Sequence, residues 1–379
     1  MIDFFRPVNV SGDFSGPQNL YHYMDIHREN HFPDWEEKDI LIFDIPEFQD
    51  TGIFETKSVD SIRKALYKLF PGEWNIKIAD LGSFLLEENE QDSMTLLEEI
   101  LSHFFLQDKH LVILSPNQAY TYIINKALSK TEKFVNCSII DSKIDLDPEN
   151  LNPHSFPENN SYITQILWDE KIHLNNLHLV ACQSYYHPPQ IFSFLKKMYI
   201  DCFKLGNIKG KIMELEPELR TSHFLSLDIH AVEHAYMPLQ KEVSPNGLNG
   251  LEVCQLTRYG GIGQNNKALG IFEYKEKNKG IKLGEELIAQ MIWYYMEGKN
   301  ETFLLENVPD KEEMIIFHVP NNLVKMKFYK QPAVEQWWVE IKDLDLDNRI
   351  FPCSYEDYQA AIQNKTSERI KKIMEKNKL

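Results

Sequence analysis

The chain has 379 residues, enough for one large α/β domain or two ordinary ones, and 43% of its residues are hydrophobic, which excludes a disordered chain. Its 57 acidic residues outnumber 40 Lys and Arg residues, so the net charge is −17. This balance excludes non-specific binding to nucleic acid or to an anionic membrane, and the sequence has no apolar run near twenty residues that would insert in a bilayer.

Residues 1–37 are mixed and polar, which predicts an extended amino-terminal arm. From residue 38 to 298, short runs rich in β-branched and aromatic residues alternate with longer amphipathic runs, a pattern typical of strands separated by helices. The predicted strands are Ile40–Asp44, Ile76–Leu81, Leu111–Leu114, Phe134–Ile140, Leu177–Cys182, Phe224–Asp228 and Leu269–Phe272. Since parallel neighbours need crossover connections, we predict an α/β fold with a mostly parallel sheet between two helical layers.

Residues 299–379 differ in character and predict a small β-rich appendix closed by a charged helix. Its predicted elements are the strands Met314–Val319, Leu323–Tyr329 and Glu335–Ile341 and the helix Tyr355–Asn377. Aromatic residues concentrate at 335–340 and 351–358. We expect them to pack the appendix against the core, with a contact to a partner or a second copy as the alternative.

Five cysteines are far apart in the sequence: Cys137, Cys182, Cys202, Cys254 and Cys353. No pair has the spacing of a zinc or redox motif, so we expect reduced thiols. The amino terminus lacks the pattern of a signal peptide. Together these features predict a cytoplasmic protein.

Polar residues follow most of the predicted strands, at the edge where open α/β sheets bind ligands. They are Asp44, Asp80, Ser115–Gln118, Asp141–Asp145, Asp228–His230 and Glu273. Asp44 and Asp80 are interpreted as structural caps. The others predict a site at which several carboxylates converge.

These motifs, in their order and spacing over residues 38–298, resemble the ureohydrolases, the family of arginases, agmatinases and formimidoylglutamases. The residues that carry the resemblance are Leu114–Gln118, Asp141–Asp145, Ser226–His230, Met237-Pro238, Ser244–Leu248 with Glu252, and Gly270–Tyr274. The formimidoylglutamase branch is nearest. The resemblance implies an arginase-like α/β/α fold and, in active members, two Mn²⁺ ions that bridge a hydroxide and activate it toward a guanidinium or formimino carbon.

The family's six metal-ligand positions correspond to Gln118, Asp141, Lys143, Asp145, Asp228 and His230. Three aspartates are kept, whereas Gln118 and Lys143 replace histidines and His230 replaces an aspartate. A lysine ammonium has no lone pair, and at ~4 Å two unit charges at a protein surface interact by about 4 kcal/mol. We therefore expect no metal cofactor, and we expect Lys143 to form salt bridges with the three aspartates. Should one metal bind, its ligands are expected to be Gln118, Asp141, Asp145 and Asp228.

The resemblance leaves two functions open. The first is a non-catalytic ureohydrolase-like protein that serves binding, assembly or regulation, with no catalytic residue assigned. The second is a C–N hydrolase of formimidoylglutamase or arginase type that uses one Mn²⁺ or an unusual metal set. Residues 159–165 contain no equivalent of the family's proton-shuttle histidine, which favours the first.

Glu273 occupies the position of the family's substrate-facing glutamate and is the candidate substrate-binding residue. The alternative is a carboxylate that faces water or a lysine at the end of a strand. Expected partners are a small-molecule ligand, a protein, or a second copy of the chain, with neither nucleic acid nor membrane among them.

Overall fold

The computed structural model describes residues 1–376 except 13, 15, 50–51, 55–56, 88, 147–150, 152–160, 275–281, 305–313, 320–324, 333 and 342–349. The strands are β1 (Phe5–Arg6), β2 (Asp25–Ile26), β3 (Ile40–Asp44), β4 (Glu47–Gln49), β5 (Gly52–Phe54), β6 (Ile78–Phe84), β7 (His110–Ser115), β8 (Val135–Ile140), β9 (Leu174–Cys182), β10 (Asp201–Lys204), β11 (Phe224–Asp228), β12 (Ala268–Phe272), β13 (Ile315–Val319), β14 (Met326–Lys330), β15 (Trp337–Ile341) and β16 (Ile350–Cys353). The helices are α1 (Leu20–Tyr23), α2 (Lys57–Leu66), α3 (Glu90–Leu106), α4 (Tyr120–Leu128), α5 (Tyr162–Trp168), α6 (Pro189–Lys197), α7 (Leu205–Ile208), α8 (Glu216–Arg220), α9 (Gly250–Gly261), α10 (Leu283–Leu304), α11 (Tyr355–Ile362) and α12 (Glu368–Lys376).

The main sheet has the order β1-β6-β3-β7-β12-β11-β8-β9-β10, and β2 also pairs with β6. Every pairing in this sheet is parallel except that of β1 with β6. The carboxyl ends of β7, β12, β11 and β8 therefore lie side by side. Loops that leave these four neighbouring strands meet at one place.

Helices cover both faces of the sheet, because successive side chains of each strand point to opposite sides. In β3, Ile40 and Ile42 pack into the core that contains α2, α9 and α10. Leu41 and Phe43 pack into the opposite core, which contains α3, α4, α5 and α6. The predicted three-layer α/β/α architecture is thus confirmed.

Each strand predicted for the main sheet is present, with boundaries that shift by up to three residues. The first 37 residues, predicted as an arm, contribute β1 and β2 to the sheet. Helix α10 continues through residue 298, so the predicted start of the appendix falls inside a helix. The division into 1–37, 38–298 and 299–379 stays a prediction.

The C-terminal module consists of the antiparallel sheet β13-β14-β15-β16 with α11 and α12. The single helix predicted over Tyr355–Asn377 is wrong: α11 ends at Ile362, and α12 starts at Glu368. Asn364 adopts φ 57°, a left-handed conformation that terminates helices and that asparagine tolerates. Of the predicted strand Leu323–Tyr329, residues 323–324 lie outside the described part of the chain.

Aromatic side chains form much of the core of this module. Trp337 is buried and stacks on Phe317 and Tyr358, with ring centroids 5.2 Å and 5.1 Å away. Arg220 of α8 donates to the Trp337 carbonyl at 2.6 Å and lies over the Trp338 ring at 4.5 Å. The aromatic residues therefore pack within the module and against the main domain, as expected.

Helix α12 lies beside β9 and β10. Lys372 donates to Asp201 of β10 and lies over the Phe203 ring, while Lys376 donates to the Asn175 carbonyl and the Asn176 side chain of β9. Since β10 is the last strand on that side of the main sheet, the module covers this edge.

Replacing Arg369 by alanine is expected to lower the free energy of unfolding by about 2 kcal/mol and to loosen the module. Its guanidinium donates to both Glu218 oxygens, at 2.7 Å and 3.0 Å, and also pairs with Asp357, so it links α12 to α8 and α11. Urea denaturation and hydrogen exchange of the C-terminal peptides measure the two effects. Lys371→Ala, on the exposed side of the same helix, is the control and is expected to change neither.

Cys182 and Cys202 are joined by a disulfide, so the prediction of five reduced thiols is wrong for this pair. They are 20 residues apart in sequence, but their strands β9 and β10 are parallel neighbours connected through α6. Because a crossover connection brings the two cysteines together, their spacing in the sequence does not predict that they are close. Among the described residues, no helix combines the length and the hydropathy needed to cross a bilayer. Cytoplasmic localisation stays a prediction.

Candidate functional site

The predicted site residues follow four neighbouring strands. Gln118 follows β7, Glu273 follows β12, Asp228 ends β11, and Asp141 follows β8. The order β7-β12-β11-β8 in the sheet brings these four side chains to one edge. We call Asp141, Asp145, Asp228 and Glu273 the carboxylate cluster.

Asp141 and Asp228 form the buried part of the cluster, each with 7% of its surface exposed. Burial raises the pKa of Asp141 well above its ordinary value, and the charge of Asp228 raises it further. One Asp141 oxygen accepts the backbone N–H of Lys143 at 2.9 Å. The two carboxyl groups therefore lie close enough for the charge of one to act on the other.

His230 is hydrogen-bonded to Asp228. Its Nδ1 lies 2.7 Å from Asp228 Oδ1, and its backbone N–H donates to the same oxygen at 2.7 Å. On the other side of the ring, Nε2 accepts the backbone N–H of Glu242 at 3.3 Å. Both ring nitrogens are thus engaged with the protein.

Lys143 does not pair with the aspartates, and the prediction that it replaces manganese in the cluster is wrong. Its Nζ donates to Glu242 at 2.6 Å, and 50% of the lysine side chain is exposed. The ammonium also lies 5.4 Å from the centre of the Tyr186 ring. Solvation explains this outcome, since an ammonium at the surface keeps its water while it pairs with an exposed carboxylate.

Gln118 is buried, and its side-chain amide lies 3.3 Å from Ser226 Oγ. Its backbone N–H donates to Glu273 Oε1 at 3.0 Å. Glu273 has φ 68°, a left-handed conformation that turns the chain sharply after β12. Glu273 thus braces the loop that carries Gln118, while its role toward a substrate stays a prediction.

Tyr162, at the start of α5, was not identified from the sequence. Its side chain is 3% exposed, and its hydroxyl has no hydrogen-bond partner among the described residues. Burial and the charges of Asp141, Asp145 and Asp228 raise its pKa well above the ordinary value. Its backbone N–H also bonds Asp145. A buried, unsatisfied hydroxyl beside carboxylates is a polar atom available to a ligand.

His187 lies directly before α6, which has Pro188 as its N-cap and Pro189 as its first residue. The His187 Nε2 accepts the backbone N–H of Ile144 at 2.9 Å, which places the ring beside the loop after β8. Residues 159–165 contain no histidine, and the first two of them lie outside the described part of the chain.

Two manganese ions do not fit the residues present. In the described ranges, no group of three or more His, Cys, Asp or Glu side chains is arranged to hold a metal. Lys143 offers no lone pair and points to Glu242, and His230 Nδ1 is bonded to Asp228. The expectation of no metal, and the alternative ligand set Gln118, Asp141, Asp145 and Asp228, both stay predictions.

Asp44 ends β3 and Asp80 lies within the neighbouring β6, and both face Arg63 of α2. Arg63 donates to Asp44 at 2.8 Å and to both Asp80 oxygens at 2.9 Å and 3.1 Å. Tyr67 and Ser83 add hydrogen bonds to the two carboxylates. This arrangement is structural, in agreement with the interpretation from the sequence.

The fold is similar to those of several solved enzymes. Formimidoylglutamase from Bacillus subtilis has a TM-score of 0.63 at 15% identity, over 79% of this chain and 98% of that chain. Trypanosoma cruzi formiminoglutamase with Mn²⁺ has a TM-score of 0.62 at 15% identity, over 74% and 98%. The agmatine ureohydrolase of Thermoplasma volcanium has 0.58 at 18%, over 77% and 97%.

No family model and no curated protein matches the chain. At 14–18% identity, the likeness establishes the arginase-like fold. The ureohydrolase resemblance drawn from the ordered motifs therefore agrees with the fold. The chemistry has to be argued from the site itself.

Proposed function

We propose that the chain is a non-catalytic binding protein on an arginase-like fold, in which the carboxylate cluster binds an organic cation. One observation carries this proposal: at each of the three positions where a metal ligand of the family is replaced, the side chain bonds another group of the protein. Lys143 bonds Glu242, His230 bonds Asp228, and the Gln118 amide faces Ser226. None of them offers the donor that a dimanganese centre requires.

The remaining groups favour a cation with N–H donors. Asp141 and Asp228 are buried carboxylates, and no described lysine or arginine lies within ion-pair distance of Asp141. The Tyr162 hydroxyl adds an unsatisfied oxygen beside them. An amine or guanidinium would neutralise the carboxylates and give each oxygen a charge-assisted hydrogen bond.

Agmatine is a suitable probe, because it carries both an amine and a guanidinium and is the substrate named for one relative of the same fold. We expect saturable binding by isothermal titration calorimetry without added metal. Asp141→Asn is expected to weaken this binding about tenfold or more, since it removes a charged partner. Asp34→Asn, which changes an exposed carboxylate in the amino-terminal region, is the matched control and is expected to bind as the unaltered protein does.

The same samples decide between binding and hydrolysis. With Mn²⁺ and either agmatine or formimidoylglutamate, we expect no release of urea or formamide above background. Metal-dependent release that disappears in Asp228→Asn would overturn the proposal in favour of a C–N hydrolase. Absence of agmatine binding to a folded protein, judged by circular dichroism, would also contradict it.

A further inference from the structure

The Cys182–Cys202 disulfide connects β9 to β10 at the edge of the main sheet, close to the candidate site. Cys182 is buried, whereas Cys202 is partly exposed. The remaining cysteines, Cys137, Cys254 and Cys353, are buried and free. Cys202 is thus the less buried residue of the pair.

A β-bulge brings the two sulfurs together. Val180 pairs with Phe203 and Cys182 pairs with Lys204, which leaves Ala181 as an extra residue in β9. Ala181 adopts φ 68°, a conformation that is sterically unfavourable for a residue with a Cβ atom. Bulges re-aim side chains and are enriched beside functional sites.

The extra residue reverses the face to which Cys182 points. Leu179 and Cys182 both pack in the core on the α3–α6 side, and the partly buried Cys202 packs there too. Val180 and Ala181 pack on the opposite side. Without the bulge, side chains would alternate regularly and Cys182 would point to the same side as Val180, away from Cys202. The bulge therefore places Cys182 on the side of Cys202.

The segment that follows Cys182 forms part of the rim of the carboxylate cluster. The backbone N–H of Gln183 donates to the Ser142 carbonyl at 2.9 Å, and its side chain donates to the Asn246 carbonyl at 3.1 Å. Four residues further on, His187 accepts the N–H of Ile144. Residues 183–187 therefore hold the loop after β8 and the loop around Asn246.

We propose that the Cys182–Cys202 pair is a reversible thiol switch that controls how firmly residues 183–187 hold the rim of the carboxylate cluster. The disulfide ties the start of this segment to β10. Reduction frees it, and the two loops then lose a fixed support. The effect on ligand affinity rests on the proposed binding function, whereas the effect on the rim does not.

A low-molecular-weight thiol of the glutathione class is the expected reductant. Its thiolate attacks the sulfur of Cys202, the less buried residue of the pair, the S–S bond breaks, and Cys182 leaves as a thiolate that takes a proton. A second thiolate attacks the mixed disulfide at the glutathione sulfur and releases Cys202, which is also protonated. Two protein thiols and one glutathione disulfide result, so electrons and protons balance.

Hydrogen exchange measured by mass spectrometry tests the switch on the full chain. We expect the amides of Ile144 and Gln183 to exchange about tenfold faster after reduction with a phosphine, because opening of the segment becomes easier. Cys202→Ser is expected to reproduce the reduced pattern without any reductant. Cys254→Ser, which changes a buried free cysteine in the other core, is expected to leave the oxidised pattern intact.

Equal exchange in the oxidised and reduced proteins would overturn the switch, as would alkylation of both cysteines in protein treated with glutathione disulfide. Chemical reduction of the unaltered chain keeps the test valid if Cys202→Ser fails to fold. Agmatine titration of both forms separates the two proposals. A redox-dependent rim in a protein that binds no agmatine in either form would support the switch and contradict the binding function.

Discussion

Replacing Arg63 by leucine is expected to lower the free energy of unfolding by about 3–5 kcal/mol. The guanidinium has only 1% of its surface exposed and pairs with two carboxylates, Asp44 and Asp80, of which Asp80 is fully buried. It also donates to the Gly82 carbonyl at 2.9 Å. Its removal leaves two buried negative charges without a counter-ion, and desolvated charges of this kind are costly.

Urea denaturation followed by circular dichroism measures this loss. Lys64→Leu changes the next residue of α2 and removes a cation outside the network, so it is expected to cost less than about 0.5 kcal/mol. The double variant with Asp80→Asn is expected to recover part of the loss in Arg63→Leu, because one buried charge is gone. A loss below about 1 kcal/mol in Arg63→Leu would show that water enters the network.

Restoring three side chains of the family's ligand set is expected to create a manganese site. Gln118→His, Lys143→His and His230→Asp together give two histidines and four aspartates at the ends of β7, β8 and β11. The backbone already brings Asp141 and Asp228 close enough to interact strongly. Imidazole and carboxylate ligands suit Mn²⁺, so we expect about two ions per chain in the triple variant and none in the unaltered protein.

Metal content after dialysis, measured by inductively coupled plasma mass spectrometry, checks this expectation. Addition of Asp228→Asn to the triple variant is expected to abolish binding, because it removes one of the four aspartates of the restored ligand set. Lys143→Ala alone breaks the pair with Glu242 and is expected to gain no metal. Tight binding of two ions by the unaltered chain would contradict both this account and the proposed function.

The fold was accessible from the sequence where strands are fully buried. β3 and β7 contain continuous apolar runs, and β11 is interrupted only by Ser226 before it ends at Asp228, because both faces of a central parallel strand are covered. The edge strand β10, with the sequence Asp-Cys-Phe-Lys, has no such run, since one side of an edge strand meets polar neighbours. The two-residue strands β1 and β2 are too short to leave a pattern.

The sequence predicted which residues form the candidate site, but it did not predict where their side chains point. The ordered motifs predicted which residues follow the four central strands. The partner of Lys143 is Glu242, which lies 99 residues away on a loop without a recognisable pattern. In its spacing, Tyr162 resembles the other buried residues of α5, so the sequence predicts an ordinary core residue. No sequence pattern indicates that its hydroxyl lacks a hydrogen-bond partner among the described residues.

The lysines of α12 are relevant to aggregation of the protein at high concentration. An uncovered edge strand offers free N–H and C=O groups to any extended segment of another chain, and lysine side chains are a common natural barrier to such pairing. Lys372 and Lys376 place two positive charges beside β10 and the neighbouring end of β9. A fragment that ends with α10 would expose this edge, so the C-terminal module favours solubility of the whole chain independently of any ligand.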